Sequence, residues 1–255
     1  MPIIISALKI VFLLGFLITI HEAGHLLVAK LCKVKVNEFA IGFGKTIWSK
    51  QGKETKYAIR MIPLGGFCAM EGEDEESEQE GAFSKASLGK RFAIVVAGAA
   101  VNILFGLAVY FTLMSTVGLQ FVDPARDTFI NRIYYGGKAT GEFILAMLES
   151  LRTLFTGGFA PDQMVGIVGI SEVVAQTTGI ANYIYLLSVI SISLGITNLL
   201  PIPALDGGKI LILIIEAIRR KPMKMETEAK IQMLGFSILI AISLIVMYND
   251  IVRIL

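Results

Sequence analysis

The sequence predicts an α-helical polytopic membrane protein with four transmembrane helices and a membrane-associated β-hairpin insertion. Three observations carry this. The chain of 255 residues is 55% hydrophobic and only 17% charged, where soluble domains carry about a quarter charged residues. The charges are clustered and leave long apolar stretches between them. Four such stretches, residues 3–31, 92–121, 180–205 and 231–248, reach the ~20 mostly apolar residues that a bilayer requires.

Each element follows from its local pattern. The apolar N-terminus lacks a charged n-region and a small-residue cleavage pattern, so it reads as a retained span and not as a signal peptide. That span is interrupted by Lys9 and by His21, Glu22 and His25. The loop after it, from Lys33 to Arg91, is rich in Lys and Arg, as is the loop holding Arg219, Arg220, Lys221, Lys224 and Lys230. The loop after the second span holds only Arg126, Arg132 and Lys138. Basic loops stay inside, which predicts cytoplasmic first and third loops and both termini outside. Val34–Phe39 and Thr55–Ile62 are β-rich runs punctuated by Gly42, Gly44, Gly52, Gly65 and Gly66. They predict one or two hairpins dipping back toward the membrane. Glu71–Glu80 is an acidic run expected to be a solvated, mobile tether. Residues 140–155 carry apolar side chains at the spacing of an amphipathic helix lying on the outer membrane surface. Ile210–Ile215 is too short to span alone and reads as the third element continuing past a break.

Several functions are excluded early. A formal net charge of +2 offers no basic field for nucleic acid. Cys32 and Cys68 lack CxxC spacing and give neither a disulfide framework nor a thiolate metal site. One metal-binding motif with no relay of intramembrane carboxylates marks no ion path, which argues against a zinc transporter. No feature specifies an oligomeric state.

The chemistry concentrates in His21-Glu22-Ala23-Gly24-His25, an HExxH motif that holds the chain's only two histidines. On a helix, residues four apart share a face, so both imidazoles grip one metal ion from one side. Glu22 projects from the adjacent face, within reach of a water. Such a motif arises by chance in a chain this long with a probability on the order of one percent. A catalytic zinc has three protein ligands. With histidines exhausted, the third is a carboxylate or a thiolate. Asp206 leads, set among Pro201, Pro203, Gly207 and Gly208, which break the helix inside an apolar stretch; its alternative role is the N-cap of the helix beginning near Gly208. Cys32, Glu216 and Asp250 are rivals. Glu216 stands beside Arg219 and Arg220 and is expected to pair with them. Asn198 faces either freed backbone groups or a substrate chain. Gly98, Asn102 and Gly106 share one face of the second span, where the glycines allow close helix approach and Asn102 either bonds across the contact or packs there.

These residues resemble the site-2 protease family, in its bacterial regulated-intramembrane-proteolysis branch, the anti-sigma-factor-cleaving zinc metalloproteases. That family pairs HExxH on the first span with NxxPxPxxDG on a later one, here His21–His25 and Asn198–Gly207. Arg60 to Phe67, with Gly65, Gly66 and Phe67, resembles the family's membrane-associated β-loop; Phe83 and Arg91-Phe92 resemble its link to the second span; Tyr248-Asn249-Asp250 resembles its C-terminal end. Two segments depart: the family's Gly-Pro reads Gly98-Ala99, and its GPxGI reads Gly166-Ile167-Val168-Gly169-Ile170. The branch usually carries PDZ domains between the second and third spans; here only residues 122–179 lie between them, including the surface helix at 140–155, and the chain reads as lacking one.

The resemblance implies a zinc enzyme of the bacterial cytoplasmic membrane. His21, His25 and Asp206 would hold Zn2+, and Glu22 would act as general base for water attack on a peptide bond. The implied partners are single-span membrane substrates such as anti-sigma factors or signal-peptide remnants. Residues 55–67 are expected to offer a strand edge to an extended substrate. The alternative is a catalytically silent scaffold of the same fold, which would have no need of Glu22.

Overall fold

The computed structural model describes residues 2–118, 124–156 and 166–254. Among the described residues, seven α-helices and two long strands follow one another in the order α1 (Pro2–Leu31), β1 (Val36–Gln51), β2 (Lys56–Met70), α2 (Leu88–Leu113), α3 (Phe129–Phe155), α4 (Ile167–Gln176), α5 (Ile180–Asn198), α6 (Asp206–Arg219) and α7 (Met225–Ile254). Four of them are long and apolar enough to cross a bilayer: Ile4–Leu31, Leu88–Gly118, Ile180–Asn198 and Met225–Val252. The protein is a multi-pass membrane protein. The end of the second stretch expected from the sequence, residues 119–121, lies outside the described residues.

The chain divides into two compact units, one of residues 1–103 and 193–241, the other of 104–192 and 242–255. In the first, the core joins α1, the sheet, α2 and α6 through Ala29, Val36, Phe39, Phe83, Ile94 and Leu213. The end of α1 is set by Lys33, whose φ of 62° is left-handed. The Val34 N–H then reaches the Ala29 carbonyl at 2.8 Å, the closure of a Schellman turn.

Both strands run further than the β-rich runs foretold, because each bends at glycine. Gly42 and Gly44 have φ of 86° and 82°, and Gly65 has φ of 106° with the Phe43 ring packed where a Cβ would stand. The bends divide an antiparallel pair into segments with different partners. Residues 46–51 pair with 56–60, and residues 36–41 pair with 66–70. The second flank of 36–41 is taken by 56–59, in pairs that advance in step along both segments: Glu38 with Lys56, Phe39 with Tyr57, Ala40 with Ala58 and Ile41 with Ile59. Glu38 sits at that junction and accepts hydrogen bonds from Arg60 at 2.6 Å and Lys56 at 3.5 Å. The expectation of a docking edge along 55–67 is therefore corrected for 56–59, which has a partner on both sides. The segment 66–70 has one strand partner among the described residues.

Three further expectations change. The third span ends at Asn198 and not at 205, since Pro201 and Pro203 remove donors and clash with a continuing helix; α6 is a separate helix. Glu216 pairs with Arg91, 125 residues away, at 2.7 Å, and accepts the Met223 N–H at 2.7 Å. The acidic run is docked along part of its length. Glu71 accepts from Asn37 at 2.8 Å and Ser77 at 2.5 Å, and Phe83 N–H closes back on the Glu71 carbonyl at 2.7 Å.

In the second unit, α3 starts at residue 129 rather than 140, with the Thr128 hydroxyl accepting the Asn131 N–H. Tyr110 stacks on Phe143 with ring centroids 4.5 Å apart, while Phe129, Ile130, Leu145 and Leu148 stay exposed. Asp250 Oδ2 accepts the N–H groups of Gly166 at 3.0 Å and Gly169 at 2.9 Å. The carboxylate thus caps the start of α4.

Glu216 is 4% exposed and Arg91 13%, so Glu216→Ala strands a cation and costs on the order of 3 kcal/mol. Thermal unfolding in detergent checks this. The expected result is a lowered midpoint for Glu216→Ala, with much of the loss recovered in Arg91→Met/Glu216→Met.

Candidate metal centre

The helical spacing of α1 places His21 and His25 one turn apart, each 7% exposed, with ring centroids 4.9 Å apart and edge to face. His25 Nδ1 lies 2.8 Å from the Ile94 carbonyl of α2. A carbonyl only accepts, so Nδ1 carries the proton and Nε2 presents its lone pair. The two Nε2 atoms are 3.2 Å apart. Asp206 Oδ2 lies 3.1 Å from that of His21 and 3.4 Å from that of His25. This oxygen is buried yet makes no hydrogen bond, which leaves its charge facing a nitrogen lone pair. A divalent cation answers that demand. Tetrahedral zinc with 2.0–2.1 Å bonds separates its donors by about 3.3–3.4 Å, so the three donors fit the ion, and two imidazoles with one carboxylate favour zinc among divalent metals.

Asp206 opens α6, but the cap position is Leu205 and no side chain caps this helix. The capping alternative is therefore not used. The loop before it is tight. Cβ atoms on Gly207 and Gly208 would collide with the carbonyls of Leu200 and Ile202 at 1.9 and 2.5 Å. Its backbone is satisfied locally, with Leu199 and Leu200 N–H groups bonded to Ile196 and Thr197 carbonyls at 3.1 Å each. Asn198 ends α5 half-buried, and no hydrogen bond of its side chain to that backbone is seen.

The roof of the site is α2 backbone. A Cβ on Gly98 would stand 2.3 Å from His25 Nε2 and 2.8 Å from His21 Nε2. Gly98 was read from the sequence only as a packing glycine; a residue without a side chain carries no other signal. Asn102, fully buried, turns its amide to His21 Nδ1 at 3.5 Å, which fits the bonding alternative better than plain packing. Gly106 does not reach the site and packs on Ser188 and Ile192 of α5.

A cavity of about 340 Å3 opens beside the donors, lined in part by Glu22, His25, Phe67, Cys68, Asp206 and Lys209. The Glu22 side chain packs by Gly66, whose added Cβ would meet its Cγ at 3.6 Å, and Arg60 lies over the Phe67 ring at 4.8 Å. Gly65 serves the strand bend. Burial pushes the Cys68 thiol up to about 12, which keeps it protonated and unlike a thiolate ligand. Cys32 packs at the edge of the core. Glu73, from the acidic strap, enters the cavity wall and accepts from Lys209 at 2.5 Å, with Asp74 at 3.9 Å from the same ammonium.

Two helical imidazoles, an aspartate on a broken element and a glutamate in the adjoining cavity, all on a membrane-spanning framework, define an intramembrane metallopeptidase. The model of peptidase family M50 matches residues 9–242, and the chain belongs to that family, the site-2 zinc metalloproteases. Among curated relatives it is 28% identical to a candidate zinc metalloprotease of Clostridium acetobutylicum, over 93% of this chain and 95% of the relative. It is 25% identical to the zinc metalloprotease RasP of Bacillus licheniformis, over 97% and 99% of the two. Over 132 residues, 51% of this chain and 31% of the relative, it is 43% identical to the regulator of sigma-W protease RasP of Bacillus subtilis. The B. licheniformis alignment spans 414 residues against a chain of 255, so that relative carries a large segment with no counterpart here.

Zinc content of the purified protein tests the donor set. About one zinc per chain is expected in wild type, lost in His25→Ala, Asp206→Ala and Gly98→Ala and kept in Cys32→Ser. A second measurement reads the strap. In a Cys32→Ser background, Glu73→Gln weakens the contact over the cavity, and alkylation of Cys68 is expected to quicken several-fold.

Proposed function

We propose that His21, His25 and Asp206 hold the zinc and that Glu22 is the general base of peptide-bond hydrolysis within the membrane. The observation that carries this is the convergence of the three donors beside the cavity that Glu22 lines. Zinc, when bound, supplies a Lewis acid that polarises the scissile carbonyl and acidifies water. Glu22 takes a proton from the attacking water as its oxygen bonds to the carbonyl carbon. The C–N bond breaks, and Glu22 returns the proton to the leaving amine. No bond forms between the substrate and a side chain. His25 is held in its tautomer by the Ile94 carbonyl, and Asn102 orients His21; such outer partners are typically worth about 10–100-fold in metal affinity or activity.

The substrate is a single-span membrane protein, such as an anti-sigma factor or a leftover signal peptide. The first reading is supported by the sigma-W regulation in the name of the B. subtilis relative. A helix hides its peptide bonds, so the substrate unwinds before cleavage. The edge of 66–70 suits the extended product of that unwinding, because Phe67, Cys68, Ala69 and Met70 line the cavity with Glu22 and this segment has a strand partner on one side only among the described residues. Main-chain pairing there would hold the chain by strand addition, with Asn198 a further contact. The enzyme sits in the bacterial cytoplasmic membrane with its active site toward the cytoplasm and both termini outside, supported by the Lys and Arg of the first and third loops.

The deciding experiment compares wild type with Glu22→Gln on a single-span reporter substrate. Wild type is expected to release a fragment; Glu22→Gln is expected to release none while holding the same zinc. Equal cleavage by both would remove Glu22 as the base. Proline scanning of 66–70 tests the edge: at one or more positions, cleavage is expected to fall by ten-fold or more with zinc content unchanged, and full cleavage at every position would place docking elsewhere.

A further inference from the structure

The loop that presents Asp206 has an unusual residue two positions before it. Ala204 has φ of 76°, in the left-handed region where a Cβ is disfavoured. The other non-glycine residues with positive φ among the described residues, Lys33 and Arg220, follow the last turns of α1 and α6, where such conformations are ordinary. Ala204 closes no helix, so something else must hold it.

The holder is on α7. The Ala204 N–H donates to the side-chain oxygen of Gln232. Three residues further along α7, Gly235 lies against Pro203, whose Cβ and carbonyl oxygen would stand 2.4 and 2.5 Å from an added Cβ. Gln232 is the only amide side chain between residues 231 and 248. Polar groups in membrane helices are costly and usually specific in purpose. Little of the most apolar stretch of α7 is buried inside the protein, 6% of that window. This helix thus grips Pro203 and Ala204, three and two positions ahead of the carboxylate.

We propose that Gln232 is a positioning residue for the metal centre: by holding the Ala204 N–H it fixes the left-handed turn that delivers Asp206 Oδ2 to His21 and His25. The proposal rests on the reading of Asp206 as a ligand. Without the acceptor, Ala204 relaxes toward negative φ, the backbone entering α6 rotates, and the carboxylate leaves its place beside the imidazoles. Glycine at 204 occupies the left-handed region freely and would hold the turn without help.

Zinc affinity by chelator competition and the visible spectrum of the cobalt-substituted protein test this on the full-length chain in detergent. Gln232→Leu is expected to weaken zinc by ten-fold or more and to change the cobalt bands. Gln232→Glu, which keeps an acceptor oxygen, and the double variant Gln232→Leu/Ala204→Gly are expected to recover most of both. Wild-type affinity and spectrum in Gln232→Leu would overturn the proposal. So would a loss that neither rescue variant repairs, because that pattern belongs to general destabilisation. Asp206→Ala separates the two readings: unchanged zinc affinity there removes the ligand assignment itself, whereas a loss there beside an unaffected Gln232→Leu removes only the role of Gln232.

Discussion

Three electron-rich atoms crowded within 3.4 Å of one another are the constraint around which the first unit is arranged. They come from two elements far apart in sequence, and none of them attracts the others in the absence of a cation. The framework must therefore hold them together by packing and by orienting contacts. The Ile94 carbonyl fixes one imidazole, the Asn102 amide meets the other, and the tight turn at 199–205 presents the carboxylate. Helices alone would satisfy every backbone group in an apolar slab. The departure from helix at that turn is the structural cost of bringing an acid to an imidazole pair. Local turns and one side chain from α7 offset it.

Much of this arrangement was legible in the sequence. HExxH reads directly because helical periodicity alone puts His21 and His25 on one face. Asp206 reads from composition, an acid among prolines and glycines in apolar surroundings. The helices long enough to span stood out because long apolar runs have few other uses. What escaped was of two kinds. Pairings at long range leave no local trace: Arg91 with Glu216 and Lys209 with Glu73 join residues 125 and 136 positions apart, and nearby Arg219 and Arg220 were the obvious but wrong partners for Glu216. Contacts made by backbone or by glycine are also silent. Gly98 shapes the roof of the site by having no side chain, and the double flanking of 36–41 depends on bends that composition marks only as turns.

The acidic strap shows how composition misleads in a specific way. A run of seven acids among ten residues, from Glu71 to Glu80, has every mark of a solvated tether, and Asp74 and Glu78 do face water. Yet the strap is tied at its base by the Glu71 and Phe83 backbones, and one of its acids meets the only lysine or arginine lining the cavity beside the three donors among the described residues. Charge density predicts the average environment of such a run. Whether one member is docked depends on a single cation elsewhere in the chain.

The bare backbone at Gly98 bears on how a membrane substrate arrives. Gly24 of α1 faces it from the other side, where a Cβ would stand 2.6 Å from the Ala97 oxygen and 3.0 Å from the Gly98 Cα. The imidazoles thus rest directly on the neighbouring helix, and the seam between α1 and α2 is closed at van der Waals distance over the turn that carries His21 and His25. Parting these two helices would pull His25 from the carbonyl that orients it. A chain reaching the three donors would therefore come in along a border other than this seam.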